Sequence, residues 1–593
     1  MNIFKGSPEI RQRPEGSVSH TLPDSLHPVI RRILLARDVT DEKSLDLKLG
    51  RLQPPTALSG IRKAADIIAD AVVAGQSILI VGDFDADGAT GTALAVRALH
   101  MMSASHVDFR VPNRFEFGYG LSVALVETLA DHPPDVLVTV DSGISSNEGV
   151  DRARELGCKV IVTDHHIPGE VLPAADAIVN PNCPGDQFPS KALAGVGVVF
   201  YLMSVVRSAL RERNWFTLPH KEPNLGHLLD LVALGTVADL VSLDTNNRIL
   251  IRQGMDRIRQ GICSPGLLAL LRLGKRDYRH LVASDLAFAV APRLNAAGRM
   301  EDMSIGIRCL ITDDREEATA LAIELDDLNH QRRARQNQMQ QEALDQLKQL
   351  LDGLKDTELP AGLCLYDEDW HQGIVGLVAS RIKDSVHRPV LAFAPESPGS
   401  DVLKGSARSV RGIHIRDVLA RIDALHPSMI TAFGGHAMAA GLTLAADQLE
   451  PFKQALVEAI DYFLQGKTLD NEILTDGELS ADDINLPFAE LLRDLGPWGQ
   501  NFPEPLFEGR FVVEDNRVVG NVHLKMQLRP VGGQGSIDAI AFRCLPEDLP
   551  DTGAVGFVYK LDINHFRGRK TCQLMVEKIL CGPGSDSNAQ TSV

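Results

Sequence analysis

Three short runs of β-branched and apolar residues each stop at a carboxylate or an imidazole, and this pattern narrows the possible folds sharply. Residues 77–81 lead into Gly82-Asp83-Phe84-Asp85-Ala86-Asp87-Gly88, residues 136–140 into Asp141-Ser142-Gly143, and residues 159–163 into Asp164-His165-His166. Between them, helical periodicity is read over 91–102, 122–129 and 148–156. Apolar strands alternating with helices predict a doubly wound α/β domain, with a parallel sheet buried on both faces. Such sheets bind ligands outside the carboxyl ends of their strands. The three strands are therefore expected to deliver Asp and His side chains to one edge. A further helix over 228–240 carries Gly235-Thr236-Val237-Ala238-Asp239, and Asp239 would reach that edge from the helix start or the loop near Val241.

Asp83, Asp85 and Asp87 share one face if the backbone stays extended. Like charges so close raise each other's pKa unless a cation neutralises them. Oxygen ligands with one imidazole suit Mn²⁺ or Mg²⁺ and argue against a structural zinc site. There are more carboxylates than one ion needs, which points to two ions sharing a bridging Asp, the arrangement used for phosphoester hydrolysis. A lone strand-end Asp is equally a good helix N-cap, and adjacent histidines often pack in a core. Convergence of three strand ends is what favours metal over these alternatives.

The chain has 593 residues, enough for several domains, with 44% hydrophobic and 23% charged residues, which excludes wholesale disorder. Sixty Lys+Arg against 78 Asp+Glu give a formal charge of −18. That excludes non-specific coating of nucleic acid or anionic membrane but leaves room for a local basic groove. No apolar run approaches the roughly 18 residues of a membrane span. The first residues lack an apolar signal core, and the eight cysteines are scattered without a C-x-x-C pair. A cytoplasmic protein with reduced thiols and no membrane partner is expected.

The organisation read from the sequence is a leader (1–60), an α/β domain (61–313), a long polar connecting helix (314–352), a second α/β domain (353–465), a connector with a small β-barrel (466–582) and a disordered tail (583–593). In the second α/β domain, Ser406 and Arg408 occupy a Gly-flanked strand end, where hydroxyl and guanidinium can grip phosphate oxygens; a strand-end turn with a surface Arg is the alternative. Gly434-Gly435-His436 and Ala439-Ala440-Gly441 either admit a phosphate to the backbone, with His436 beside it, or serve close helix packing. Arg293 and Arg299, around an Asn295–Gly298 turn, are read equally as contacts to internal phosphates or as interdomain ion pairs. Lys560, His565, Phe566, Arg567, Arg569 and Lys570 on the barrel form either a solvated hairpin or a single-strand contact of cations and an aromatic. The Arg-rich stretches 248–259 and 272–279, with Arg332, Arg333 and Arg335, are expected to line a channel.

These motifs together resemble the DHH phosphoesterase superfamily, on Asp83-x-Asp-x-Asp87, Asp141-Ser142-Gly143, Asp164-His165-His166 and the stretch ending at Asp239. Residues 112–120, 193–197, 291–299, 370–376, 405–409 and 434–441 are similar to its branch of single-stranded-DNA-specific 5′→3′ exonucleases. The resemblance implies a DHH domain, a DHHA1 domain and an oligonucleotide-binding (OB) barrel. It implies one ion held by Asp85 and Asp141 with Asp83, and a second by Asp87, Asp141, His165 and Asp239. Asp164 would orient the imidazoles, and His166 would face the scissile phosphate as donor or general acid. Arg114, Ser406 and Arg408 would hold the 5′-terminal phosphate, with Tyr119 stacked on a base. The implied reaction is in-line hydrolysis of the terminal phosphodiester to 5′-mononucleotides, in DNA recombination and repair, with a helicase and a single-strand-binding protein as partners.

Two other functions compete with this one. A phosphodiesterase of short oligonucleotides or cyclic dinucleotides would be shorter and lack the barrel. A silent DNA-binding scaffold would have no reason to keep so many clustered carboxylates, which are costly without a cation.

Overall fold

The computed structural model describes residues 9–14, 16, 21–113, 116–353, 360–465, 469, 472–520, 522–550, 553–566 and 568–580. Arg114, Arg567, the Phe566 side chain and the 583–593 tail lie outside the described residues. The chain forms two compact units, one of Met1–Ile10 with Asp327–Ile473 and one of Arg11–Asp326 with Leu474–Val593.

In the latter unit, five parallel strands form a sheet: β1 (Ser77–Gly82), β2 (His106–Arg110), β3 (Val136–Val140), β4 (Lys159–Thr163) and β5 (Ala177–Val179). Their spatial order is β2-β1-β3-β4-β5, all in parallel register. Every residue of β3 is buried, as is nearly all of β1 and β4, because helices cover both faces. One face packs Leu79, Val81, Leu137, Val160 and Val162 against Leu125, Val126 and Val150. The order reverses direction between β1 and β3, and that switch point is where a doubly wound sheet opens a ligand crevice. Helices α1 (Ala86–Met101), α2 (Gly195–Glu212) and α3 (Leu229–Ala238) follow, with α4 (Thr245–Arg259) and α5 (Ala291–Met300).

The connecting helix α6 spans Arg315–Gly353. Its apolar residues recur at helical spacing, with Leu321, Leu325, Leu328, Met339 and Leu347 buried, as the sequence pattern requires. Beyond it, the unit of Asp327–Ile473, whose sheet comes second along the chain and which is hereafter the second unit, holds a five-stranded mixed sheet of β6 (Leu363–Tyr366), β7 (Val390–Pro395), β8 (Val402–Arg408), β9 (Ala432–Gly435) and β10 (Ala439–Ala445), ordered β9-β10-β8-β7-β6, with α7 (Val375–Val386) after β6. Phe393, Leu391, Leu442 and Leu444 meet Phe452 and Leu456 in its core. Gly434, Gly435 and the 439–441 run thus build the β9–β10 hairpin. Their small side chains serve strand pairing, and the helix-packing alternative is set aside.

After α8 (Leu486–Leu495), strands β11 (Phe507–Val519), β12 (His523–Pro530), β13 (Ile537–Phe542), β14 (Val555–Phe566) and β15 (Arg569–Leu580) close a barrel in the order β11-β12-β13-β15-β14. Only the β13–β15 pair is parallel, the pairing that closes a five-stranded OB-type barrel. Among the described residues, no helix is long and apolar enough to cross a membrane.

Candidate metal centre

The chain turns from β1 into α1 within a few residues, so the three carboxylates do not share the face of one extended strand, as the sequence suggested. Asp makes a strong N-cap, and Asp85 takes that role: its Oδ1 accepts the Asp87 and Gly88 N–H groups at 2.9 and 3.0 Å. Asp87 falls in the first turn of α1. There the N-terminus of α2 grips it, Gly195 N–H donating to Oδ2 at 2.7 Å and Val196 N–H to Oδ1 at 3.0 Å. Space explains two glycines of the motifs. A Cβ on Gly195 would lie 2.6 Å from Asp141 Oδ1, and one on Gly235 would lie 2.7 Å from Asp87 Oδ1.

Asp141 leaves β3 with φ +59°, a left-handed conformation costly for a residue with a Cβ and typical of functional strain. Asp239 caps the end of α3, its N–H bonded to Gly235 O at 2.9 Å; of the two placements the sequence offered, the helix start and the loop near Val241, it is the loop side that is found. Two ligand sets result. One oxygen from each of Asp83, Asp85 and Asp141 lies within 4.8 Å of the others, and the same holds for ligand atoms of Asp87, His165 and Asp239. His165 Nε2 links the sets, 3.0 Å from Asp141 Oδ1 and 3.5 Å from Asp239 Oδ2. A third grouping joins Asp141, His165 and His166.

Electrostatics point the same way. Burial, then Asp87 and Asp85, hold the Asp141 carboxyl well above its ordinary range. Burial and then Asp87 do the same to Asp239, while burial and Asp85 push Asp87 up to about 7. Asp141 Oδ1 and Asp239 Oδ2 are buried and, among the described residues, accept no hydrogen bond, the His165 ring approaching them only as an ion-pair partner. Carboxylates so placed favour protonation or a cation. An oxygen-rich set with one imidazole fits hard divalent ions such as Mg²⁺ and Mn²⁺.

Asp164, buried, accepts Ile144 N–H at 3.0 Å, His165 N–H at 2.7 Å and His166 N–H at 3.0 Å, and sits 2.7 Å from His166 Nδ1. It therefore fixes the backbone of both histidines but the ring of His166 alone. Burial works against the charged forms, yet the pair prevails: Asp164 lies below the usual carboxylate range and His166 above the usual imidazole range. Tyr119, half exposed, donates its hydroxyl to Asp141 O at 3.2 Å and meets the rings of Phe84 and His166 edge-on.

Three asparagines at the site were not singled out from the sequence. Asn180 and Asn182 donate to His166 O at 2.9 Å and His165 O at 2.6 Å. They follow β5, and recognising that short strand would have marked Asn180-Pro181-Asn182 as a fourth strand end. Asn295 Oδ1 accepts Ala86 N–H at 2.9 Å, buttressing the carboxylate loop, and a Cβ on Gly298 would lie 1.8 Å from Phe84 O. The 295–298 segment is thus helix, with Pro292 at its start, and the expected turn does not form. Arg293 is buried against Asp326 Oδ1 at 2.8 Å, with Ala289 O accepting as well. That ion pair ties the expected 61–313 domain to the connecting helix, inside one compact unit, and leaves Arg293 no open hand for phosphate. Arg299 sits half-buried near the end of α5.

The expected Arg channel is corrected in large part. Arg248 is buried with its guanidinium 4.0 Å over the Phe502 ring, Arg252 and Arg259 pair with Asp256, and Arg276 pairs with Asp285. Arg332, in the other unit, is buried on Asn329 and Gln336. On the barrel, Lys560 pairs with Glu504 and Glu577.

Ser406, Arg408 and His436 belong to the second unit. Arg408 Nη1 donates to Ser406 Oγ at 3.0 Å and to Ala407 O at 2.8 Å. The first turn of α7 meets this pair at Gly376, whose Cβ would lie 2.7 Å from Ser406 Oγ and 2.8 Å from Arg408 Nη2. Burial lowers the pKa of Arg408, and among the described residues no carboxylate pairs with it. His436 is exposed at the β9–β10 turn, its N–H bonded to Ala439 O at 2.8 Å.

Comparison with known proteins places these features in context. Residues 77–236 match the DHH family N-terminal domain, residues 360–463 the DHHA1 domain and residues 475–578 the RecJ OB domain. The single-stranded-DNA-specific exonuclease RecJ of Escherichia coli is 51% identical over 571 residues, 96% of this chain and 98% of that protein. Crystal structures of RecJ from Thermus thermophilus with Mn²⁺ and with Mg²⁺ align with TM-scores of 0.75 and 0.71, at 29% and 27% identity. Each covers 97% of this chain, and 80% and 79% of theirs.

Proposed function

The chain belongs to the RecJ family of single-stranded-DNA-specific exonucleases, and from that premise we propose how its residues divide the work. It is a hydrolase of single-stranded DNA that uses Mn²⁺ or Mg²⁺. The membership of Asp141 beside both ligand sets carries the metal-site reading: Asp83, Asp85 and Asp141 would hold one ion, and Asp87, His165, Asp239 and Asp141 the other. Two such ions supply Lewis-acid stabilisation to the attacking and leaving oxygens of an in-line displacement. The protein's part is to hold the carboxylates rigid. The α2 amides fix Asp87, the Asp85 cap fixes the start of α1, and Asn295 fixes the loop between them. Asp164 would accept the hydrogen bond of His166 Nδ1–H, which presents Nε2 as the nitrogen able to hold a proton for a phosphate or leaving oxygen.

End recognition rests on the second unit. A half-buried guanidinium with no carboxylate paired to it among the described residues, beside the first turn of a helix, is positioned to bind an anion. Arg408 and Ser406 would take the 5′-terminal phosphate; in the other unit, Arg114 is assigned a phosphate contact and Tyr119 the stacking of a base. Reading the terminal phosphate makes the enzyme a 5′→3′ exonuclease that releases 5′-mononucleotides. Arg299 and His436 are assigned to internal phosphates. In the cell this activity serves recombination and repair in the cytoplasm, on strands opened by a helicase and shared with a single-strand-binding protein.

Mononucleotide release from 5′-phosphorylated and 5′-blocked single strands, with Mn²⁺ and with Asp141→Ala protein alongside, tests both halves. Digestion of the free end alone, with at least a thousandfold loss in the variant (roughly the scale of losing a group that stabilises the transition state), is the expected result. Indifference to the block would overturn end recognition, and undiminished variant activity would overturn the bridging role.

A further inference from the structure

Beyond Asp164 the ladder of the parallel sheet stops. Strand β5 pairs Val179 with Thr163, and Val179 O accepts Asp164 N–H at 3.2 Å. The next two carbonyls, of His165 and His166, need partners from elsewhere, because main-chain groups shielded from water are costly unpaired. Asn182 and Asn180 donate to them at 2.6 and 2.9 Å, and Asn180 Oδ1 accepts Asn182 N–H at 2.8 Å, closing a turn over Pro181. The second amide hydrogen of Asn182 goes to Lys191 O at 3.1 Å. Lys191 folds back on the same loop. Its ammonium donates to Pro181 O at 2.6 Å and to Asp186 O at 2.9 Å, with Asp186 Oδ1 at 3.4 Å. The segment then runs into α2. Ala192 O accepts from Asn247 Nδ2 at 2.7 Å, and that buried amide also donates at 2.9 Å to Ser242 O, just past Asp239. Finally, the Gly195 and Val196 N–H groups hold the Asp87 carboxylate.

We propose that residues 180–196 form one strut that positions Asp87, His165 and Asp239, the three ligands that one ion does not share with the other, and that the Lys191 ammonium holds the strut in shape. Asn182 and Lys191 are then positioning residues: neither is a ligand, and both act through main-chain groups. The three ligands leave the fold on α1, β4 and α3, so no single element fixes their spacing. The strut reaches the Asp87 carboxylate, the His165 carbonyl and the turn after Asp239 in one continuous stretch of chain. Three oxygens of the Pro181–Asp186 turn converge on the Lys191 ammonium, and hydrogen bonds from a cation are stronger than neutral ones. The Asp83–Asp85 loop takes its support from other contacts, the Asp85 cap on α1 and the Asn295 bond to Ala86 N–H. Loss of the strut therefore loosens one ion and spares the other. The inference rests on the two-ion reading of the ligand sets and adds to it the part of the fold that sets the affinity of one ion.

Metal-free full-length protein is titrated with Mn²⁺ in the absence of DNA, and the free ion is read from its EPR signal. The unaltered protein should bind two ions. Asp239→Asn, which removes a ligand, marks the binding step that belongs to the Asp87, His165 and Asp239 set. Groups that orient ligands from outside change metal affinity by roughly 10–100-fold. Asn182→Ala and Lys191→Met should each weaken the marked step about tenfold and leave the other in place. Lys191→Met keeps the aliphatic stem of a half-exposed side chain, so this variant is the safer of the two for folding. Circular dichroism follows folding alongside, since unfolded protein lowers both steps together and cannot weaken one alone. Weakening of both steps alike, of the unmarked step, or of neither overturns the strut. Weakening by Asn182→Ala without any by Lys191→Met overturns the part given to Lys191. Binding of fewer than two ions by the unaltered protein overturns the two-ion reading itself.

Discussion

Asn295 shows how much of a metal centre is built from residues that touch no metal. Its amide oxygen holds Ala86 N–H at 2.9 Å, one residue from the Asp85 cap, while Gly298 lets α5 close on Phe84 O. Removing the acceptor frees the loop that aims three carboxylates. Groups of this supporting kind alter metal affinity by roughly 10–100-fold. Asn295→Ala should therefore raise the Mn²⁺ concentration for half-maximal activity about tenfold, with a smaller loss of kcat at saturating Mn²⁺. Asn295→Asp, which keeps the acceptor, should restore the midpoint. Initial rates across a Mn²⁺ series decide it; an unchanged midpoint with a lowered Tm would reduce Asn295 to a packing residue. This residue stood inside a motif read for its arginines, and nothing in the sequence says which backbone N–H an amide will find.

At the scale of elements, legibility followed burial. Strands β1, β3 and β4 were readable because they are apolar and buried on both faces, so residues 136–140 and 159–163 emerged with the bounds the structure has. Strand β2 alternates exposed and half-buried residues, and β5 has three residues, too few for a pattern. Helix α5 was mistaken for a turn because Gly298, there for close approach to Phe84, carries the same signal as a turn glycine. The carboxylates buried at the strand ends and in the first turn of α3 have a consequence for pH. In metal-free protein, Asp87 at about 7 and Asp230 at about 6 lie above their ordinary 3.8 through burial. Each binds more protons folded than unfolded, so each stabilises the fold at low pH and loses that contribution as pH rises from about 4 through about 7. His166, also raised, contributes in the same direction. Thermal melts in EDTA should show Tm falling between pH 5 and pH 8. Added Mn²⁺ should reverse the trend, because it binds the deprotonated ligands of the folded state. A flat EDTA series would contradict the burial of unneutralised carboxylates.

Across the whole molecule, what the sequence could not convey is that both units are discontinuous, the larger built from Arg11–Asp326 and Leu474–Val593. Local patterns reveal elements, and a return of the chain after some 150 residues (Asp327–Ile473) leaves no periodic trace. The return is fastened by charge. Arg37 and Asp476 form a bidentate pair at 2.6 and 2.9 Å, both side chains about 1% exposed. The rest of the Arg37 guanidinium donates to Ile33 O and Pro503 O. Nearby, Trp498 stacks on Phe502, whose ring lies under Arg248. Breaking a buried pair from one side strands the other charge, at a cost of about 3–5 kcal/mol. Asp476→Ala should thus destabilise this unit by that amount in urea, read by Trp498 fluorescence, since Trp498 lies 5.6 Å from Arg37. Asp476→Asn, which retains one acceptor for the guanidinium, should lose less. Because the pair touches neither ligand set, Mn²⁺-dependent activity per folded molecule should stay within about twofold, the range of surface-like effects on function. A large activity loss at full folding would show instead that the fastening of the returning chain sets the geometry of the carboxylates, and not only their stability.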